Sequence, residues 1–248
     1  RAMRKLNHQY HAREEEKAFR VAKTIVAPSK GLSRELIDTY PFCKDKITII
    51  SNPVDIQYYK KPENYKRLEE REKYNLHSDE VIIAFAALGD FARKGLPELM
   101  HGLKEIGEHE ANFKILVIGG KEREIDTYKE LSREMNIENK ILFVGFQKDI
   151  RPYLWLSDLF ALPSTYEIFS LVCVQAAAAG LPLLSTKLHG VEEYLMDGKN
   201  GWLVKRDATA IGLVLKAIGK GDYNLIEMGN HAIDSVTKYN HQSFRKKW

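Results

Sequence analysis

Val81–Ala87 is seven apolar residues in a row. A run of that kind leaves a β-strand no polar face to turn toward water, so it must be covered on both sides, as in a parallel sheet between layers of helices. The same texture recurs in shorter form at Lys114–Ile118, Ile141–Val144, Leu159–Leu162, Leu183–Ser185 and Gly201–Val204. Between these runs lie helical stretches: about Leu96–Glu108, Ile125–Met135, Ile150–Leu156, the alanine-rich Phe169–Ala179, and the tail after Thr209. Strands alternating with helices across loops of a few residues make βαβ units, with right-handed crossovers. The expected fold class is α/β, a Rossmann-like parallel sheet with helices on both faces.

The flanks differ in texture. Residues 4–22 are polar and helix-prone, without Gly or Pro. A β-branched run at Thr24–Ala27 is closed by Pro28. Ser29 is placed to cap a helix over Lys30–Thr39. Lys46–Ile50 reads as a second strand, ended by the turn signal Ser51-Asn52-Pro53. Residues 56–78 are charged and tyrosine-rich, a linker followed by a helix.

Composition bounds the function classes. Of 248 residues, 44% are apolar and 29% charged, ordinary for a globular chain. The net charge of +4 is too weak to imply nucleic acid. Basic residues crowd the start, at Arg1, Arg4, Lys5, Arg13, Lys17, Arg20 and Lys23, where they suit peripheral membrane association. Glu14–Glu16 interrupt that run, which favours a solvated helix face. No stretch of about 18 apolar residues exists, and no apolar segment follows a basic start. Cys43 and Cys173 are far apart, outside any metal-ligand spacing; their scarcity fits a reducing cytoplasm. Residue 1 is Arg, which is not a translation start, so the chain is expected to have lost its natural beginning.

In a parallel sheet ligands bind beyond the carboxyl ends of the strands. The loops to inspect are therefore Gly89–Gly95, Gly119–Lys121, Gly145–Lys148, Pro163–Glu167 and Thr186–Glu193. Neither Gly-x-Gly-x-x-Gly nor a phosphate loop ending in Gly-Lys-Ser/Thr is present, which weakens a dehydrogenase or a simple nucleotide triphosphatase. The segment Pro163–Leu171 bridges a strand end and a helix start. There the amides of Phe169, Ser170 and Leu171 would be free and, with the helix dipole, would attract an anion. Glu167 stands at the first turn and Gln175 eight residues on, about 12 Å of helical rise along nearly one face. The pair could reach the two ends of an elongated ligand with its phosphates between. Read alone, Glu167 serves equally as a helix cap, with Gln175 an ordinary polar residue on a packing helix.

Here the chain resembles the C-terminal domain of retaining glycosyltransferases of family 4, of GT-B fold. The residues that carry the resemblance are Pro163-Ser164, Glu167, Phe169, Leu171, Ala176–Ala179, Gly180 and Pro182. It extends to Ser157-Asp158, to Gly190 and Glu193 in the His189–Glu193 loop, to Asp197–Gly201, and to Ser51–Asp55. In all it covers about residues 20–240. Asp90-Phe91-Ala92-Arg93-Lys94-Gly95 takes the form seen in members that resemble the lipopolysaccharide-core glucosyltransferases. The resemblance implies that Arg93 and Lys94 hold the donor diphosphate, with the amides of Phe169, Ser170 and Leu171. It implies that Glu167 contacts the transferred sugar near its anomeric carbon, and that position 175 binds the ribose hydroxyls. Gly89, His189 and Gly190 would belong to nucleotide or sugar loops. No metal site and no cofactor are implied beyond the donor itself, for which a UDP-sugar is the first expectation.

Two positions depart from the family pattern. A carboxylate is usual where Gln175 stands; an amide accepts and donates one bond each but lacks charge-assisted strength. Leu88 stands where many relatives carry a further phosphate-binding arginine. The family also implies a partition: 1–55 as the end of an acceptor-binding domain, 56–222 as the donor-binding domain, and 223–248 as a C-terminal helix returning toward the first domain. The N-terminal domain would be largely absent, supplied in cis or by a separate chain. The expected activity is hexose transfer from a nucleoside-diphosphate sugar to a glycan or lipid-linked acceptor, in the cytoplasm or at the inner face of the membrane. The competing readings are a non-catalytic module that binds nucleotide-sugar or a partner, and an unrelated sugar epimerase or phosphorylase.

Overall fold

The structure is a computed structural model and describes residues 2–107 and 112–248. Arg1 and Glu108, named above, lie outside the described residues. The chain opens with helix α1 (Ala2–Val21), strand β1 (Ile25–Ala27), helix α2 (Lys30–Thr39) and strand β2 (Ile47–Ile49). β1 and β2 pair in parallel. Ser29 caps α2 by accepting from the Leu32 amide at 3.1 Å, as its hydroxyl predicts. On α1, Lys17 pairs with Glu14 and Arg20 with Glu16, each at 2.7 Å and one helical turn apart. That is the solvated face that the interrupting glutamates suggest.

Residues 56–78 differ from a linker and a single helix. They hold two short helices, α3 (Ile56–Tyr59) and α4 (Arg67–Glu72). Both are pinned to the main domain: Trp155 Nε1 donates to Tyr59 O at 2.8 Å and the Tyr65 hydroxyl to Pro152 O at 2.9 Å.

The main domain then alternates as the apolar runs require. It runs β3 (Val81–Ala87), α5 (Phe91–Lys94), α6 (Leu96–Glu105), β4 (Phe113–Gly119), α7 (Glu122–Glu134), β5 (Ile141–Gly145), α8 (Arg151–Leu156) and β6 (Leu159–Leu162). It continues with α9 (Leu171–Ala178), β7 (Leu183–Ser185), β8 (Gly201–Leu203) and α10 (Ala208–Gly219), then α11 (Leu225–Val236) and α12 (His241–Arg245). Six strands form one sheet in the order β5-β4-β3-β6-β7-β8, every pair parallel. From β3 the chain winds one way to β5; from β6 it winds the other way to β8. Right-handed crossovers therefore put α6 and α7 on one face and α9 on the other. α10 returns to pack on α6, and α11 packs on α9. Ile82, Ile83, Phe85, Ile115, Leu116 and Phe160 are fully enclosed between the layers.

In the main domain two helix starts shift by more than one residue from expectation. α7 starts three residues early, at Glu122, because Glu122 and Glu124 suit the positive end of the helix dipole. α9 starts two residues late, at Leu171, with Ser170 as its N-cap residue. Phe169 stays outside the helix because its ring is buried against Tyr239, 5.3 Å between centroids. The turn at Gly190 also presses on it, so closely that a Cβ there would sit 2.8 Å from the Phe169 ring.

Candidate functional site

The winding reverses between β3 and β6, and a crevice at such a point is where open α/β sheets hold ligands. A cavity of about 600 Å³ opens there, at the carboxyl ends of β3 and β4 and against the start of α9. Its wall includes Gly89, Arg93, Lys94, Glu167, Phe169, Ser170, Leu171 and Gln175.

The basic pair owes its position to the residue that opens its helical turn. Phe91 is fully buried and stacks edge-on between Phe85, at 5.6 Å, and Tyr128, at 5.5 Å. Burying such a ring is worth roughly 2–3 kcal/mol, enough to nail down the single turn of α5. Its amide donates to Glu124 Oε1 at 2.6 Å. The turn opens with Asp90 in the left-handed region, φ 60°, and closes with Gly95, φ 89°. Gly95 is obligatory, because a Cβ there would lie 2.2 Å from Pro163 O. That close approach brings α5 against the end of β6. Arg93 and Lys94 are the last two residues of the turn and emerge into the cavity.

Across from them, Glu167 is 13% exposed and Lys94 19%. The Lys94 ammonium hydrogen-bonds Glu167 Oε1. Ser164 Oγ donates to the same oxygen at 3.1 Å, and an Arg93 guanidinium nitrogen lies 3.7 Å from it. Arg93, 41% exposed, also donates to Tyr166 O at 2.9 Å and to Asp90 Oδ2 at 2.6 Å. That bond holds the Asp90 carboxyl below its ordinary value. Two cations and a carboxylate thus face one another at the end of β6. Gln175 sits one helical turn into α9, half-buried in the cavity wall. Its amide has no hydrogen-bond partner among the described residues.

With α9 starting at Leu171, Glu167 precedes the helix, and the helical spacing expected between Glu167 and Gln175 does not apply. The first-turn amides are those of Leu171, Val172 and Cys173; the Phe169 amide is not one of them. Phe169 and Ser170 reach the cavity as wall, not as the first turn of the helix.

Residues 66–220 match the family described as glycosyl transferases group 1, and residues 1–58 match glycosyltransferase family 4. The chain belongs to the group 1 glycosyltransferases. A D-inositol 3-phosphate glycosyltransferase of Corynebacterium aurimucosum is 25% identical over 227 residues, covering 88% of this chain and 53% of that protein. Among solved structures, Anabaena HepE in complex with UDP superposes with a TM-score of 0.81 at 21% identity, covering 93% of this chain and 63% of that one. WaaG, a glycosyltransferase involved in lipopolysaccharide biosynthesis, gives a TM-score of 0.76 at 19% identity, covering 89% and 60%. At such identities the likeness is one of fold: the Rossmann-like sheet is that of a GT-B glycosyltransferase half. The chain spans about half the length of the curated relatives it matches.

Within this group 1 chain, two loop residues expected near the ligand stand elsewhere. His189 turns toward α2, with Nε2 2.6 Å from Glu35 Oε2 and its ring edge-on to Tyr166 at 5.8 Å. Gly190 abuts the back of Phe169. Neither lines the cavity. Conversely, Tyr58, Tyr59, Gln147 and Asp149 do. Arg151 lies over the Tyr58 ring at 3.5 Å and chelates Asp149 at 2.6–3.1 Å, bracing that wall. The sequence signal for Gln147 was its place just past a strand end. Nothing local marked the two tyrosines.

Proposed function

We propose that this chain is the donor-binding half of a retaining hexosyltransferase. It would take a nucleoside-diphosphate sugar, a UDP-sugar in the first place, and deliver the sugar to a glycan or lipid-linked acceptor held by a further acceptor-binding domain, in cis or on a separate chain. The observation that carries this reading is the meeting of Arg93, Lys94, Glu167 and Gln175 in one cavity at the sheet's reversal point. A diphosphate lying along α5 would draw Lys94 and Arg93 onto its oxygens. As the sugar departs, negative charge grows on the leaving diphosphate, and fixed cations aimed at it lower the barrier. Glu167, released from full engagement with Lys94, would accept from the sugar hydroxyls near the anomeric carbon. The leaving phosphate itself would help take the acceptor's proton, giving retention. The Gln175 amide, without a hydrogen-bond partner among the described residues, would meet the ribose hydroxyls. An acceptor carried on lipid would place the work at the inner face of a membrane; among the described residues no helix is long and apolar enough to cross one.

The test is calorimetric titration of uridine, guanosine and adenosine diphosphate-sugars into the chain and into Lys94→Ala. Losing one charge-assisted contact should weaken binding by roughly 10- to 100-fold. If no nucleoside-diphosphate sugar binds the native chain, the donor reading fails. The amide at 175 also favours a second reading, a module that holds nucleotide-sugar without transferring it. That reading requires donor binding with no release of nucleoside diphosphate when acceptor and acceptor domain are supplied.

A further inference from the structure

We propose that Arg206 is a positioning residue for the diphosphate end of the site, an assignment that rests on the donor reading above. Arg206 follows β8 and does not line the cavity. Its backbone is held by the next residue, since Asp207 caps α10 by accepting from the Ala210 amide at 2.8 Å. From there the guanidinium reaches behind the site and spends each branch on a different element. Nε donates to Pro163 O at 3.1 Å. One terminal nitrogen donates to Ala92 O. The other pairs with Glu98 Oε1 on α6 at 3.0 Å. Ala92 immediately precedes Arg93-Lys94, and Pro163 opens the segment that carries Glu167. Arg206 therefore clamps the two catalytic loops to each other and both to a long helix.

On the cavity side the loops are joined by Thr165 N to Arg93 O at 2.9 Å, Ser164 Oγ to Arg93 O at 3.2 Å, Arg93 to Tyr166 O at 2.9 Å and the Lys94–Glu167 ion pair. Those bonds hold Arg93 to the Glu167 loop but tie neither to α6. The clamp is about three-quarters buried, with Arg206 27% exposed and Glu98 23%. The other Glu98 oxygen is buried and has no partner among the described residues, so Glu98 depends on Arg206. A lysine cannot replace the planar fork, because its three donors radiate from one point. Two cations that must meet diphosphate oxygens together tolerate little displacement, so loosening the clamp should act on the phosphates and spare the nucleoside end.

The experiment titrates UDP and UMP into the full chain, into Arg206→Met, Arg206→Lys and Lys94→Ala, with thermal midpoints recorded for each. In Arg206→Met the UDP affinity should fall about tenfold while UMP changes less than twofold, so that the UDP-to-UMP ratio collapses. Arg206→Lys should fall between, and it decides the matter if the methionine variant does not fold. A UDP-to-UMP ratio kept within twofold of the native value in these variants, whatever happens to the midpoint, overturns the assignment and leaves the donor reading standing. If the native chain and Lys94→Ala bind UDP alike, or neither binds it, the assignment is overturned; the donor reading falls with it if the two bind alike or if the guanosine and adenosine diphosphate-sugars also fail to bind the native chain.

Discussion

At position 175 an amide stands where the family pattern has a carboxylate, and its surroundings say how much that changes. Gln175 is half-buried, faces the cavity and has no hydrogen-bond partner among the described residues, so a glutamate there would displace no bond that they make. Hydrogen bonds to a charged acceptor are roughly twice as strong as neutral ones. Gln175→Glu should therefore tighten nucleoside-diphosphate binding by about 5- to 20-fold, read by calorimetry. An unchanged affinity would remove the ribose assignment. Arg93, Lys94, Glu167 and Gln175, singled out in the sequence by the family resemblance and by standing just past a strand end or early in the next helix, line one cavity. Tyr58 and Tyr59 line it too but were not legible in the sequence. They sit in a polar stretch without periodicity and are drawn to the cavity by Arg151 and Trp155, almost a hundred residues away. His189 stands outside the cavity wall for the converse reason. Its loop follows a strand, but the absent side chain of Gly31 leaves room for the imidazole against α2; a Cβ at Gly31 would lie 2.3 Å from Nδ1.

At the scale of elements, the short helix α4 shows how tertiary charge decides what local pattern cannot. Arg71, 3% exposed, sends its guanidinium to Leu156 O at 2.8 Å, Glu80 O at 3.1 Å and Asp158 Oδ2 at 2.6 Å. Burial lowers the Arg71 pKa and Asp158 works against that shift. The same Asp158 oxygen accepts from the Ile82 amide at 2.7 Å, and the other oxygen pairs with Arg67. One carboxylate thus fastens α4 to the start of β3 and of β6. Asp158→Ala would strand a buried cation and should cost about 3–5 kcal/mol, measured by denaturant unfolding. Asp158→Asn keeps an acceptor for the Ile82 amide and should cost less. A loss below about 1 kcal/mol in the alanine variant would show the network to be dispensable. The strands were legible because burial on both faces writes itself as a continuous apolar run. The start of α9 was not, because Phe169 belongs to an apolar run that suits a helix, while the contacts excluding it come from Gly190 and Tyr239, well along the chain.

For the molecule as a whole, the floor of the site and the chain's tail are one packing unit. α11 lies on α9 so closely that a Cβ at Gly229 would sit 2.1 Å from Gly180 O. Tyr239 then carries the chain back under Phe169 and Tyr194, and its carbonyl accepts from the Val54 amide at 2.8 Å. Three acids are shut into this region. Burial pushes the Cys173 thiol up to about 12 and raises the Tyr194 and Tyr239 hydroxyls above their ordinary values. Each is neutral when protonated, and each folded pKa is raised above the unfolded one. The unfolded chain therefore releases these protons first as pH climbs. Their contribution is fully present below about pH 9, the ordinary thiol value, and is lost as pH rises through the range up to about 12. Each group that titrates only on unfolding adds about 1.4 kcal/mol per pH unit to the slope. Urea unfolding at a series of pH values should give a flat stability up to about pH 8 and a steep fall above pH 9. Cys173→Ala should fall less steeply by about one proton's worth. A native profile that stays level to pH 11 would mean that these groups ionise without unfolding. Because a nucleoside diphosphate would bind only the folded chain, at saturation it should add stability at every pH by mass action and so move the alkaline unfolding midpoint to higher pH; a midpoint that stays put at saturating ligand would mean that the folded chain does not hold it.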